Sequence, residues 1–188
     1  MKLMVISDIH GSAHFLNQAI EAFRRERADR ILILGDVLYH GPRNDLPQGY
    51  APKEVAEILN GLKDKILCVK GNCDSEVDQC VLEFPIMAEY VIIDFDGKTV
   101  FATHGHKLDG EYKTLAMSAN VVLSGHTHVP VIEKRDGVIY ANPGSVSIPK
   151  DDSKHGYAIL ESQKLLLKTS NKISIKSMDG TVYNSSSF

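Results

Sequence analysis

Three short apolar runs, each broken by a polar residue able to bind a metal ion, constrain this chain more than anything else in it. Residues 2–7 (KLMVIS) lead into Asp8-Ile9-His10-Gly11, residues 30–34 (RILIL) into Gly35-Asp36, and residues 65–69 (KILCV) into Gly71-Asn72. Continuous apolar runs of this length predict strands buried on both faces. Between them lie two segments with apolar residues at helical spacing. One covers residues 13–27 through Phe15, Leu16, Ala19, Ile20 and Phe23; the other covers residues 53–62 through Val55, Ile58, Leu59 and Leu62. The order β-α-β-α-β predicts parallel strands joined by crossover helices.

The second half has a different pattern. Residues 90–95 and 98–103 flank Asp96-Gly97, and residues 131–135 and 138–140 flank Asp136-Gly137, two strong hairpin signals. A short strand is predicted at 121–123, ahead of Ser-Gly-His-Thr-His, and further strands at 155–160, 164–168 and 172–177. Antiparallel hairpins after a parallel half predict an α/β fold in which two mixed sheets pack face to face with helices outside. One domain is expected over residues 1–183, with residues 184–188 as a frayed tail. The loop over residues 38–52, rich in Gly, Pro, Asn and Asp, is long enough to suggest a functional role.

Bulk properties exclude several classes. With 21 basic and 24 acidic residues among 188, the net charge of −3 gives no basic field for a stable nucleic-acid complex. The apolar stretches are strand-sized, so no membrane span is expected, and the first run ends too early for a secretory signal. Three cysteines, Cys68, Cys73 and Cys80, cannot all pair within one chain, which fits a reducing, cytoplasmic setting. Cys68 and Cys80 read as core thiols.

The polar residues at the strand ends carry the chemistry. Asp8 and His10 follow the first strand, Asp36 the second and Asn72 the third, while His104 and then His126 and His128 follow strands of the second half. Ligands of open α/β sheets bind at the carboxyl ends of strands. Residues two apart on an extended segment point the same way, so Asp8/His10 and His126/His128 are each expected to reach one site together. Imidazoles, carboxylates and one amide oxygen suit Mn, Fe, Zn or Ni better than Ca or Mg. Two divalent ions, less the charges of Asp8, Asp36 and a bridging hydroxide, leave about +1 to attract a phosphate, and such a pair can activate water without a protein nucleophile.

The blocks DIHG at 8–11, GDVLYHG at 35–41, GNCD at 71–74, HGH at 104–106 and GHTH at 125–128 resemble the calcineurin-like metallophosphoesterases. All five stand in family order, and the resemblance runs from residue 3 to about residue 160. It implies a four-layer α/β/β/α sandwich. It also implies two divalent metal ions, Mn²⁺ foremost. One would be held by Asp8, His10, Asp36 and His128, and the other by Asp36, Asn72, His104 and His126, with Asp36 bridging. Water or hydroxide between them would attack phosphorus in line, with Asp36, Asn72, Cys73 and His104 forming the catalytic set.

Many family members carry His where this chain has Cys73, and that His is thought to protonate the leaving oxygen or steady the transition state. A thiol is a weak donor, so slower turnover and a preference for acidic leaving groups are expected. Tyr39-His40-Gly41 replaces the Arg-Gly of protein Ser/Thr phosphatases, which argues against that activity. The leading expectation is a phosphodiesterase acting on a small diester. The alternatives are a phosphomonoesterase or nucleotidase with the same centre, or a non-catalytic interaction scaffold of the same fold. Tyr39, His40 and Arg43 are candidate substrate contacts, and His106 either reaches the metal rim or caps a turn. The turn Asn142-Pro143-Gly144-Ser145 is expected to support the site structurally. A homo-oligomer formed through an exposed apolar hairpin strand is compatible with the sequence.

Overall fold

The computed structural model describes residues 1–165 and 168–188. The parallel half consists of β1 (Lys2–Ile6), α1 (Ala13–Glu26), β2 (Arg30–Ile33), α2 (Pro52–Asn60) and β3 (Ile66–Cys68). A one-turn helix, α3 (Glu76–Gln79), precedes the second half: β4 (Tyr90–Asp94), β5 (Thr99–Thr103), α4 (Lys113–Met117), β6 (Val121–Leu123), β7 (Val131–Arg135) and β8 (Val138–Asn142). Then come β9 (Gly156–Leu165), β10 (Lys168–Ser177) and β11 (Val182–Ser187). One sheet has the order β11-β10-β9-β1-β2-β3, the other β4-β5-β6-β8-β7, and both are mixed.

The apolar runs are explained by what lies on each side of them. Met4, Ile6, Ile31, Ile33, Ile66 and Cys68 face α1 and α2, where Leu16, Ile20, Phe23, Val55 and Leu59 meet them. Their alternates Leu3, Val5, Leu32 and Leu34 face Val100, Ala102, Val121 and Leu123 of the second sheet. The period-two alternation of a strand thus places both residue sets in separate cores. A third core, with Phe101, Val122, Tyr112 and Ala116, packs α4 on the outer face of the second sheet. The layers are α/β/β/α, as the resemblance implied. No helix among the described residues is long and apolar enough to cross a membrane.

Local signals account for the element ends. Ser12 caps α1 by accepting the Phe15 N–H at 3.2 Å, and Arg27 ends that helix in the left-handed region at φ 52°. Pro52 lies in the first turn of α2, where its missing N–H costs nothing. Asp96-Gly97 and Asp136-Gly137 have φ of 51°/81° and 51°/85°, the pair of positive values that a type I′ hairpin turn requires.

Several expectations need correction. Residues 184–188 do not fray: β11 pairs antiparallel with β10, Lys172 opposite Ser187 and Ile175 opposite Asn184. Of the strand expected at 164–168, residues 166 and 167 lie outside the described residues. On either side, β9 and β10 pair over their full lengths from Leu165–Lys168 to Gly156–Ser177, so two long strands replace three short ones. Cys80 is exposed at the end of α3, just beyond Gln79, and is not a core thiol, whereas Cys68 is buried. Neither α3 nor α4 was expected. Each is too short to display a helical period.

Candidate metal centre

The loops after β1, β2, β3, β5 and β6 converge on one edge of the sandwich, the carboxyl edge of both parallel sets. Asp8, His10 and His128 come together there, as do Asp8, Asp36 and His104, and as do His10, Asp36 and Cys73; within each trio the donor atoms lie within 4.8 Å of one another. The Nε2 of His128 is 3.2 Å from Asp8 Oδ1, and that of His104 is 3.4 Å from Asp36 Oδ2.

Three of the imidazoles are oriented by the same device. The Nδ1 of His10 lies 2.8 Å from the Tyr39 carbonyl, that of His104 2.6 Å from Leu34, and that of His128 2.6 Å from Ile148. A carbonyl only accepts, so each Nδ1 carries a proton, and Nε2 is the atom each ring turns into the site. The Nε2 atoms of His10 and His128 then face each other at 3.3 Å. Two lone pairs aimed at one another repel unless a proton or a metal cation lies between them. Asp8 Oδ1, fully buried 3.2 Å from His128 Nε2, has no hydrogen-bond partner among the described residues. An orphaned carboxylate oxygen and opposed imidazole nitrogens are a donor set that a divalent cation fits.

The backbone at these residues is unusual. Asp8, His10, Asp36, His126 and His128 all have positive φ, between 47° and 67°. A left-handed non-glycine residue costs of order 1 kcal/mol, and five cluster at this edge. The Asp-x-His and His-x-His spacings therefore work differently from the extended geometry expected of them. Each segment coils sharply as it leaves its strand. As a result His128 turns toward Asp8 and His10, while the His126 ring faces His104, with centroids 5.1 Å apart. The two histidines of the GHTH block diverge.

Asp74 holds this edge together and was not singled out from the sequence. Its buried carboxylate accepts the N–H groups of Asp36 (2.8 Å), Val37 (2.8 Å) and Gly71 (2.7 Å), tying the end of β2 to the end of β3. The GNCD block contained the signal, as an acid two residues beyond the candidate ligand Asn72. A Cβ on Gly71 would overlap the Asp36 carboxylate, so this position requires glycine. On the other sheet, Asn142 donates to the Gly125 carbonyl (2.7 Å) and Ser145 Oγ to the Asp8 carbonyl (2.8 Å), the structural support expected of that turn.

Burial opposes ionisation of Asp8, but the imidazoles of His10 and His128 outweigh it and hold the carboxyl well below the usual range. Burial would likewise lower His104, yet the Asp36 carboxylate, with Asp8 behind it, raises it to about 9. Burial and the charge of Asp36 push the Cys73 thiol up to about 12. In the metal-free cluster, then, His104 carries a proton where a metal cation would serve, and Cys73 is a neutral thiol.

Residues 1–165 match the family model described as the calcineurin-like phosphoesterase superfamily domain. The chain belongs to that superfamily. Escherichia coli (strain K12) phosphodiesterase YfcE is 46% identical to it over 175 residues, covering 93% of this chain and 95% of that protein. The solved structure of that E. coli phosphoesterase superposes with a TM-score of 0.85 at 40% identity, covering 99% of this chain and 98% of the other. Vacuolar Protein Sorting 29 from Cryptosporidium parvum shares the fold, with a TM-score of 0.69 at 17% identity over all of this chain and 97% of the other.

In this phosphoesterase a cleft of about 480 Å³ opens over the cluster, with His10, Asp36, Asn72, Cys73, His126 and His128 on its floor. Of the three expected substrate contacts only Arg43 lines it. Tyr39 contributes its carbonyl to His10, and His40 packs edge-on against Tyr50, so neither side chain faces the cleft. His106 is exposed, its ring 5.5 Å from that of His104 and 6.0 Å from that of His126. Lys150 also lines the cleft and was missed because a lone lysine in a polar turn carries no pattern.

Proposed function

We propose that this chain hydrolyses phosphodiesters with two divalent metal ions, Mn²⁺ preferred, bound at the shared carboxyl edge of its two sheets. The observation that carries the reading is the buried, unsatisfied donor set: Asp8 Oδ1, without a hydrogen-bond partner among the described residues, beside the opposed Nε2 atoms of His10 and His128. Asp8, His10, His128 and Asp36 would hold one ion, and Asp36, Asn72, His104 and His126 the other. When bound, such a pair supplies Lewis acidity to phosphoryl oxygens and acidifies water.

The chain's own residues set the geometry. Asp36 lies 3.7 Å from His10 Nε2 and 3.4 Å from His104 Nε2, between the two groups, with its Oδ1 fixed by the Cys73 N–H at 2.8 Å. Asn72 Oδ1, 2.9 Å from His104 Nε2, faces the same point as that imidazole. Backbone carbonyls hold the protons of His10, His104 and His128 on Nδ1, away from the cations. Cys73 faces the cleft as a neutral, weakly donating thiol, so departure of the leaving oxygen depends on that group's own acidity. This favours diesters with acidic leaving groups, in accord with the name phosphodiesterase borne by the E. coli relative. Three free cysteines accord with a cytoplasmic setting.

The test is hydrolysis of bis-p-nitrophenyl phosphate beside p-nitrophenyl phosphate, on chelator-stripped protein given Mn²⁺, Mg²⁺, Zn²⁺ or nothing. Metal-dependent cleavage of the diester with little of the monoester is expected. Cleavage of the monoester alone would replace the reading with a phosphatase, and folded protein inert with every metal would replace it with a scaffold.

A further inference from the structure

The cleft carries two cations that a simple diester does not need. Arg43 and Lys150 both line it, both are exposed, and neither takes part in an ion pair among the described residues.

Both positions are built into the site. Arg43 follows Gly41, whose loop is pressed against Cys73: a Cβ on Gly41 would lie 3.2 Å from Cys73 Sγ. That loop is closed by Asn44, whose Nδ2 donates to the His40 carbonyl at 2.8 Å. Arg43 therefore stands over the Asn72–Cys73 half of the centre. Lys150 stands over the other half, because its N–H donates to the His128 carbonyl at 3.3 Å and the Ile148 carbonyl orients the His128 ring.

Two divalent ions set against Asp8 and Asp36 already provide for the single negative charge of a scissile diester. Arg43 and Lys150 add two positive charges beyond it. A phosphate monoester is the common substituent that carries two negative charges at neutral pH, and a guanidinium matches its oxygens in bidentate fashion. The cleft has the volume of a small-molecule site and exceeds what one phosphate fills.

We propose that the substrates of this site are diesters bearing a further phosphate group, which Arg43 and Lys150 clamp while the metal centre takes the scissile bond. The proposal rests on the phosphodiesterase reading above, and its test separates the two. The probes are thymidine 5′-(p-nitrophenyl phosphate) and the same compound with a 3′-phosphate, which differ only in that dianion. Wild-type protein is expected to show a KM about tenfold lower for the 3′-phosphorylated compound, equivalent to about 1.4 kcal/mol. That ratio should fall severalfold in Arg43→Ala and again in Lys150→Ala, and about 0.5 M salt should compress it.

Calorimetric titration with thymidine 3′,5′-bisphosphate against thymidine 5′-monophosphate gives a readout independent of turnover. The bisphosphate should bind tighter to wild type, with the advantage lost in the double variant. Equal KM values in wild type, or a ratio that survives both substitutions, would overturn the clamp while turnover of the unphosphorylated diester leaves the phosphodiesterase reading standing. If neither compound is cleaved, that reading fails, and equal binding of the two thymidine phosphates then overturns the clamp as well.

Discussion

Two clusters of charge are withdrawn from water in this molecule, and they are built on opposite principles. At Glu26, on the last turn of α1, every carboxylate lone pair that matters is used. Lys2 Nζ donates to Oε2 at 2.9 Å, and Lys176 Nζ and the Tyr157 hydroxyl donate to Oε1 at 2.8 and 2.9 Å. Arg25 donates to the Tyr157 hydroxyl in turn, at 3.2 Å. At Asp8 the reverse holds: a fully buried carboxylate oxygen has no hydrogen-bond partner among the described residues, and two imidazole nitrogens confront each other. The first cluster is complete and joins α1 to β1, β9 and β10. The second is a deficit that a cation can satisfy. A charged group is thus informative about function less by being buried than by being buried and unsatisfied.

The comparison breaks if the two clusters respond alike to losing a charge. Asp36→Asn is expected to have the largest effect. Outer-shell changes alone cost 10–100-fold in metal affinity or activity, so loss of a carboxylate facing both trios should lower diester hydrolysis by more than about a hundredfold. Bound metal counted by mass spectrometry should fall with it. In the chelator-stripped protein the substitution also removes the partner of the His104 imidazolium, so the melting temperature should fall at neutral pH, where His104 holds its proton, and approach that of stripped wild type above about pH 9. Near-normal activity would remove Asp36 from the centre.

Adding Mn²⁺ sharpens the contrast from the other side. At a hundredfold excess over Kd, binding to the native state alone adds about 2.7 kcal/mol, and for a chain of this size that raises Tm by about 5–10 °C. The gain should depend on pH. His104 of the stripped protein, raised to about 9 by Asp36 against the effect of burial, must give up its proton to a metal. Apparent affinity should therefore weaken by up to about tenfold per unit as pH falls from 9 to 7. Scanning calorimetry with and without Mn²⁺ at several pH values checks this, and a shift independent of pH would exclude His104 from the metal-binding set.

Asp74→Asn is next in size. Its carboxylate accepts three N–H groups, and an amide in its place would turn a donor toward at least one of them. Metal affinity should fall about 10–100-fold with every first ligand intact. Unchanged affinity, by titration monitored calorimetrically, would reduce Asp74 to a turn residue.

How much of this was legible in the chain differs between the same two regions. The candidate metal-binding residues stood out, because Asp8, Asp36, Asn72 and His104 each follow a strand and fall in blocks of fixed spacing. Their geometry did not. The left-handed φ of His126 and His128 leaves no trace in the spacing, so the divergence of those two rings could not be inferred from it. Lys150 and the true length of β9 and β10 were hidden for a related reason: polar residues on a solvent-facing strand or turn carry no period. The Glu26 cluster was invisible altogether, since the partners of Glu26 lie 24 to 150 residues from it and its lysines alone resemble ordinary surface charges.

That invisible cluster gives the smallest and cleanest test. Burial alone would raise the Glu26 carboxyl, but its hydrogen bonds with Lys176, Lys2 and Tyr157 reverse the sign and lower it from 4.5 to about 2. A carboxylate whose pKa is depressed on folding stabilises the native state above its unfolded pKa and loses that contribution as pH falls through the folded value. Solvent reaches the lysines, with 26% and 19% of their side chains exposed, so the contribution is about 1 kcal/mol and not the larger figure such a shift implies in isolation. Glu26→Gln should therefore unfold at lower denaturant concentration than wild type at pH 7, and the gap should close between pH 4.5 and 2. Diester hydrolysis and Mn²⁺ binding should be untouched, because the cluster shares no residue with the centre. A gap that persists at pH 2 would mean that packing of the side chain, not its charge, holds α1 to β10. A loss of metal affinity would mean that the two clusters, so differently built, are coupled through β1.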